Sequence, residues 1–243
     1  MNFRVGIENN NDGRTIAWAL EHPGCYAYGI DDGEACANLE SEVMNYADWI
    51  HQHKTRTWLI PDSVEIKVEE TFDAYFIDEN FERSEDGKYM VESFFQYDWK
   101  PLTKEDIERA LLMLEWSRKD LIKTISPITT EMREAEHEGE RWNINGILKH
   151  IATAEWWYLE RLGMAFPKAD LEKEPLPRLV QTRNQLNKVL PELEGVKQVV
   201  GLDGEIWSPR KSLRRALWHE RDHTEHIWKI WKLSTMSKVD PQP

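Results

Sequence analysis

The sequence predicts an α+β fold: a small antiparallel sheet with one helix over residues 1–98, followed by an all-α region of four helices over residues 99–243. Three observations predict it. The apolar period changes near residue 100 from strand-like alternation to steps of three and four. Polar turns such as NNNDGR separate short alternating runs in the first part. With 243 residues and 40% hydrophobic content there is enough apolar surface for two packed cores.

In order along the chain, FRVGIE is a short strand and NNNDGR a polar turn, and TIAWALE and CYAYGI are strands separated by His22-Pro23-Gly24. Next, DDGEACANLESEVMNYADWIHQH has Ala35, Leu39, Val43, Tyr46 and Ile50 at helical spacing behind the capping residues Asp31 and Asp32. SVEIKVEETFDAYFI returns to alternation, ENFERSEDGK reads as an exposed loop, and Tyr89 to Tyr97 is again strand-like.

Beyond Pro101, Thr103 caps a helix with Ile107, Ala110, Leu111, Leu114, Leu121 and Ile125 as its stripe. A second starts at Asn143 and stops at Gly163, and a third spans PLPRLVQTRNQLNKVLPELEG. The last opens with Ser208 as cap and Pro209 at its first position. Four helices of this length suggest a bundle, whose interior is a place to build a metal site.

The last helix places three of the eight histidines within ALWHERDHTEHIWKIW. At about 100° per residue, His219 and His223 stand about 40° apart, on the side that carries Ala216, Ile227 and Ile230, so the pair faces inward. His150 in ILKHIATAEWW, on the second helix, supplies a third imidazole. Three neutral imidazoles hold a divalent ion, zinc or nickel, and leave positions open for water or substrate. His226 falls at the edge of the stripe, as a surface or supporting residue. Glu155 and Glu220 stand close enough in sequence to serve as catalytic bases or as acceptors for imidazole N–H groups.

HERDH also reads as H-E-x-x-H, the zinc-protease pattern. Such a protease takes a third ligand downstream; only 20 residues follow His223, and His226 is too close. No Ser/His/Asp order, glycine-rich phosphate loop or CxxC pair competes. Cys25 and Cys36 have neither metal-site nor disulfide-framework spacing and read as reduced thiols. A net charge of −13 argues against nucleic acid as the main partner. A mean hydropathy of −0.67 with no long apolar run excludes a membrane span, and with no apolar leader segment the expected location is the cytoplasm.

Two resemblances refine this reading. HPGCYAYG followed by DDGEACANLESEV, with Pro23, Gly24, Cys25, Gly29, Glu34, Ala35, Asn38 and Leu39, resembles HicB-like domains over roughly residues 3 to 55. That family implies a small antiparallel sheet on one helix. Its members usually carry a DNA-binding segment, and here an acidic, Trp-rich helical region follows instead. What the resemblance implies is a partner-binding or dimerisation module, which leaves a homodimer open.

WNINGILKHIA from Trp142 and HERDHTEHI from His219 resemble the DinB-like superfamily over residues 103 to 233. Its members are four-helix bundles with one His from the second helix and an HxxxH pair from the last. That resemblance implies His150, His219 and His223 as metal ligands and a reaction with a small molecule, especially a low-molecular-weight thiol in a transferase or isomerase. Thr224, Glu225 and His226 stand where the family often has Arg-Gly-Gln, so supporting roles do not carry over. The alternative is a non-catalytic metal-binding or interaction protein.

Overall fold

The computed structural model describes residues 1–54 and 57–236, so the last seven residues of the expected all-α region lie outside them. The described residues form a mixed α and β structure of six helices, a four-stranded mixed sheet and two two-stranded sheets. The chain divides into two compact units: Met1–Thr103 with Gly195–Arg215, and Lys104–Glu194 with Ala216 onward. Gly195–Arg215 therefore joins the N-terminal residues, whereas the sequence reading kept everything after residue 98 together.

In the first unit, β1 (Asn2–Asn11) and β2 (Arg14–Ala19) form a hairpin. Asp12 (φ 49°) and Gly13 (φ 76°) make its two-residue turn, the left-handed pair that matches strand twist. β3 (Tyr26–Gly29) adds antiparallel to β2. The next strand, β4 (Glu65–Asp73), pairs parallel to β1, so the sheet is mixed and not antiparallel throughout as expected. The reason is the connection: α1 (Asp32–His53) and the segment after it form a crossover, which returns the chain in its original direction.

Asp31 caps α1 by accepting the Glu34 N–H at 2.9 Å. The helix buries Ala35, Leu39, Val43, Tyr46, Ala47 and Ile50 and packs along β2 and β3. Gly29 has to lack a side chain, because a Cβ there would lie 2.3 Å from the Ala35 nitrogen. β1 is covered on both faces, so its burial does not alternate.

Phe3, Val5 and Ile7 point to one face and are buried. On the other, Phe95 lies against Gly6, where a Cβ would come within 2.7 Å of its ring. A hairpin of β5 (Tyr75–Ile77) and β6 (Tyr89–Val91) follows, shorter than the strand expected over 89–97. The unit is completed by β7 (Val200–Leu202) and β8 (Glu205–Trp207), an unexpected hairpin turned by Asp203 and Gly204, and by the first turns of the last helix.

The second unit is helical. It comprises α2 (Lys104–Ile125), the short α3 (Thr130–Glu134), α4 (Ile144–Glu160), α5 (Pro175–Val189) and most of α6 (Pro209–Met236). Asn143 caps α4 through the Gly146 N–H at 2.9 Å, and Ser208 caps α6 through the Lys211 N–H at 3.2 Å. The core gathers Leu121, Ile125, Ile147, Leu148, Ile151, Leu179, Ile227 and Ile230. Leu121 and Ile125 belong to the stripe anticipated for α2, and Ile227 and Ile230 to that of α6. Among the described residues no helix is long and apolar enough to cross a membrane. Cys25 and Cys36 are free.

Candidate metal centre

Helical spacing brings His219 and His223 together on α6, with ring centroids 4.4 Å apart. Burial of Ile147, Leu148 and Ile151 orients α4 so that His150 meets them from the side, 4.6 Å from the His219 ring and 5.0 Å from the His223 ring. One nitrogen of each imidazole lies within 4.8 Å of the others. The Nε2 atoms of His150 and His219 are 2.9 Å apart. Two nitrogens on a tetrahedral ion at about 2.0–2.1 Å stand roughly 3.3 Å from each other, so this pair is within a few tenths of an ångström of that spacing.

The donors suit such an ion. Burial lowers the pKa of His150, with Arg141 adding to the effect. Burial, then His150 and His226, takes His223 down to about 3. Both are therefore neutral near pH 7, the form that ligates. The buried Nδ1 of His223 has no hydrogen-bond partner. An orphaned buried nitrogen needs an explanation, and an absent ligand is one.

The two glutamates expected to act as bases lie beside the histidines, but they are already engaged. Glu155 accepts from Arg183 Nε at 2.5 Å, from Thr182 Oγ1 at 2.9 Å and from Arg118 Nη2 at 3.2 Å. Glu220 accepts from Arg118 Nε at 2.8 Å and Arg183 Nη2 at 2.9 Å. Burial alone would raise the Glu220 carboxyl, yet Arg183 and Arg118 outweigh it and hold it below its ordinary value. A carboxylate stabilised as the anion by two guanidiniums is a weak base. The crevice where Glu155, Glu220 and His219 meet has no space for a water molecule.

Arg118 and Arg183 were missed in the sequence, though a signal was present. Arg118 lies between Leu114 and Leu121 on the stripe of α2, and Arg183 between Leu179 and Leu186 on that of α5. A charge in an apolar stripe needs a buried counter-charge. His226 stays apart from the triad: its Nε2 lies 2.8 Å from Glu140 and its ring 5.9 Å from that of His223. Trp142 packs over His150 with centroids 4.7 Å apart.

No family model, curated protein or solved structure matches this chain, and its chemistry has to be read from its own residues.

Proposed function

We propose that the protein is a metal-dependent enzyme acting on a small molecule, with His150, His219 and His223 as the protein ligands of one divalent ion, zinc or nickel. The observation that carries this reading is the convergence of three imidazole nitrogens within 4.8 Å, contributed by two helices, with no carboxylate or thiolate among them. A structural zinc site is usually closed by four protein ligands, commonly cysteines, whereas three ligands leave a position for substrate. On this reading the helices of the second unit form a DinB-like four-helix bundle, the first unit is a HicB-like module, and the reaction is a transfer involving a low-molecular-weight thiol. The −13 charge of the chain supports small molecules over nucleic acid as ligands.

When bound, the ion supplies Lewis acidity, lowering the pKa of a coordinated water or thiol. The three imidazoles hold it at a fixed place on two packed helices. Glu155 and Glu220, each held by Arg118 and Arg183, form a charge-balanced floor that fixes α4 and α6 beside the histidines. Their part is positioning.

Metal analysis of protein purified without a His-tag tests the reading. One equivalent of a divalent ion is expected in the wild type and none in His150→Ala. His223→Leu should also lose the ion while its metal-free form keeps at least wild-type stability, since it removes an unpaired buried nitrogen that costs about 1–3 kcal/mol. Stoichiometric metal in His150→Ala would sink the assignment.

A further inference from the structure

The histidine cluster has an uneven rim. The segment before α4 carries Glu140, Arg141 and Trp142 in succession. Trp142 packs on His150, and the Arg141 guanidinium lies over the Trp142 ring at 4.5 Å from its centroid. Guanidinium and imidazole thus both contact one indole, and the imidazole is a proposed metal ligand.

Arg141 is exposed, and among the described residues no carboxylate pairs with it. Its neighbour Glu140 is turned to His226 instead. The two contacts keep the guanidinium within about 9 Å of the His150 ring, inside the Debye length of about 10 Å at 0.1 M salt.

Glu155 and Glu220 are cancelled by Arg118 and Arg183. Three neutral imidazoles would leave a bound ion at +2, and Arg141 adds a further positive charge. In a chain of net charge −13, the long-range field repels anions, so an anionic ligand would need a local cation to be held. Contact with Trp142 holds the Arg141 guanidinium by its face, which leaves its edge donors for a carboxylate or phosphate.

We propose that Arg141 is a specificity-determining residue, and that the site takes a small anionic molecule whose donor atom meets the metal at the histidines while its negative group meets Arg141. This rests on the metal-centre reading above. Cobalt(II) as the probe metal gives thiolate binding an optical signal, and two thiols of equal shape separate the charge from the sulfur: 3-mercaptopropionate and 3-mercaptopropionamide.

In the cobalt-loaded wild type the carboxylate should bind about tenfold more tightly than the amide, equivalent to about 1.4 kcal/mol. Arg141→Gln should erase that preference while leaving the cobalt spectrum and amide affinity unchanged, and Arg141→Lys should restore part of it. Equal binding of the two thiols by the wild type, or an undiminished preference in Arg141→Gln, would overturn the inference alone. Failure of cobalt to bind would overturn the metal centre and the inference with it.

Discussion

The first unit and the second each bury a cluster of charges, and the two differ in what is left over. In the first, Glu8 is fully buried and accepts from Ser93 Oγ at 2.7 Å, Trp18 Nε1 at 2.9 Å and Asn11 Nδ2 at 3.0 Å, with Arg215 at 3.7 Å. Arg214 meets Asp98 at 2.7 Å, Lys211 meets Glu205 at 2.7 Å, and Arg215 meets Glu92. Burial would raise the Glu8 carboxyl, but Arg215, Arg214 and Ser93 together hold it low. In the second unit, Glu155 and Glu220 are paired with Arg118 and Arg183. Beside them, however, stand three imidazoles with no acid among them. Among the described residues, what the second unit has and the first lacks is a group of three imidazoles beside its ion pairs.

The largest test of this comparison is truncation. Residues 1–98 alone lack the segment that brings Arg214, Arg215 and Lys211 to Glu8, Asp98 and Glu205. The fragment should show no cooperative thermal transition by circular dichroism, because Glu8 would be left buried without its cation. A sharp melt would break the view that this cluster holds the first unit together.

Next in size is Arg183→Met, which leaves two buried carboxylates to share Arg118. We expect about 3–5 kcal/mol of destabilisation, read from the urea midpoint of the helical signal. A loss under about 1 kcal/mol would mean that the floor beneath the histidines is not a closed ionic network.

The smallest effect concerns Glu92. Burial, with Glu8 and Glu205 adding to it and Arg215 opposing, pushes its carboxyl up to about 7. Between the unfolded value of about 4.5 and 7, the unfolded state then binds fewer protons than the folded one, so stability is lost as pH rises through that window. Glu92→Gln should flatten this slope in denaturation series at pH 5, 6 and 7. An unchanged slope would remove Glu92 from the titrating part of the cluster.

Much of the local structure was legible because its causes are local. Asp31 and Asn143 announce helix starts through a side-chain oxygen that has only to reach three residues ahead. Gly163, at φ 72°, ends α4 where a left-handed residue is needed. By the same rule Asp203-Gly204 announces the β7–β8 hairpin, a signal present but not used. The five-residue α3 went unseen because it is too short to establish a period.

By itself the sequence determined where the long helices run, which faces of α1, α2 and α6 are apolar, and that His219 and His223 share one of those faces, since capping and the 3.6-residue repeat act within a few residues. Tertiary structure alone decided the rest. The parallel pairing of β4 with β1, the return of Gly195–Arg215 to the first unit, the capture of Glu155 and Glu220 by Arg118 and Arg183, and the contact of Arg141 with Trp142 all depend on contacts made after the chain has packed. Except for that last contact, they join residues far apart in sequence. Periodicity shows that a side chain faces inward; which charge it meets there is set by the elements that come to pack against it.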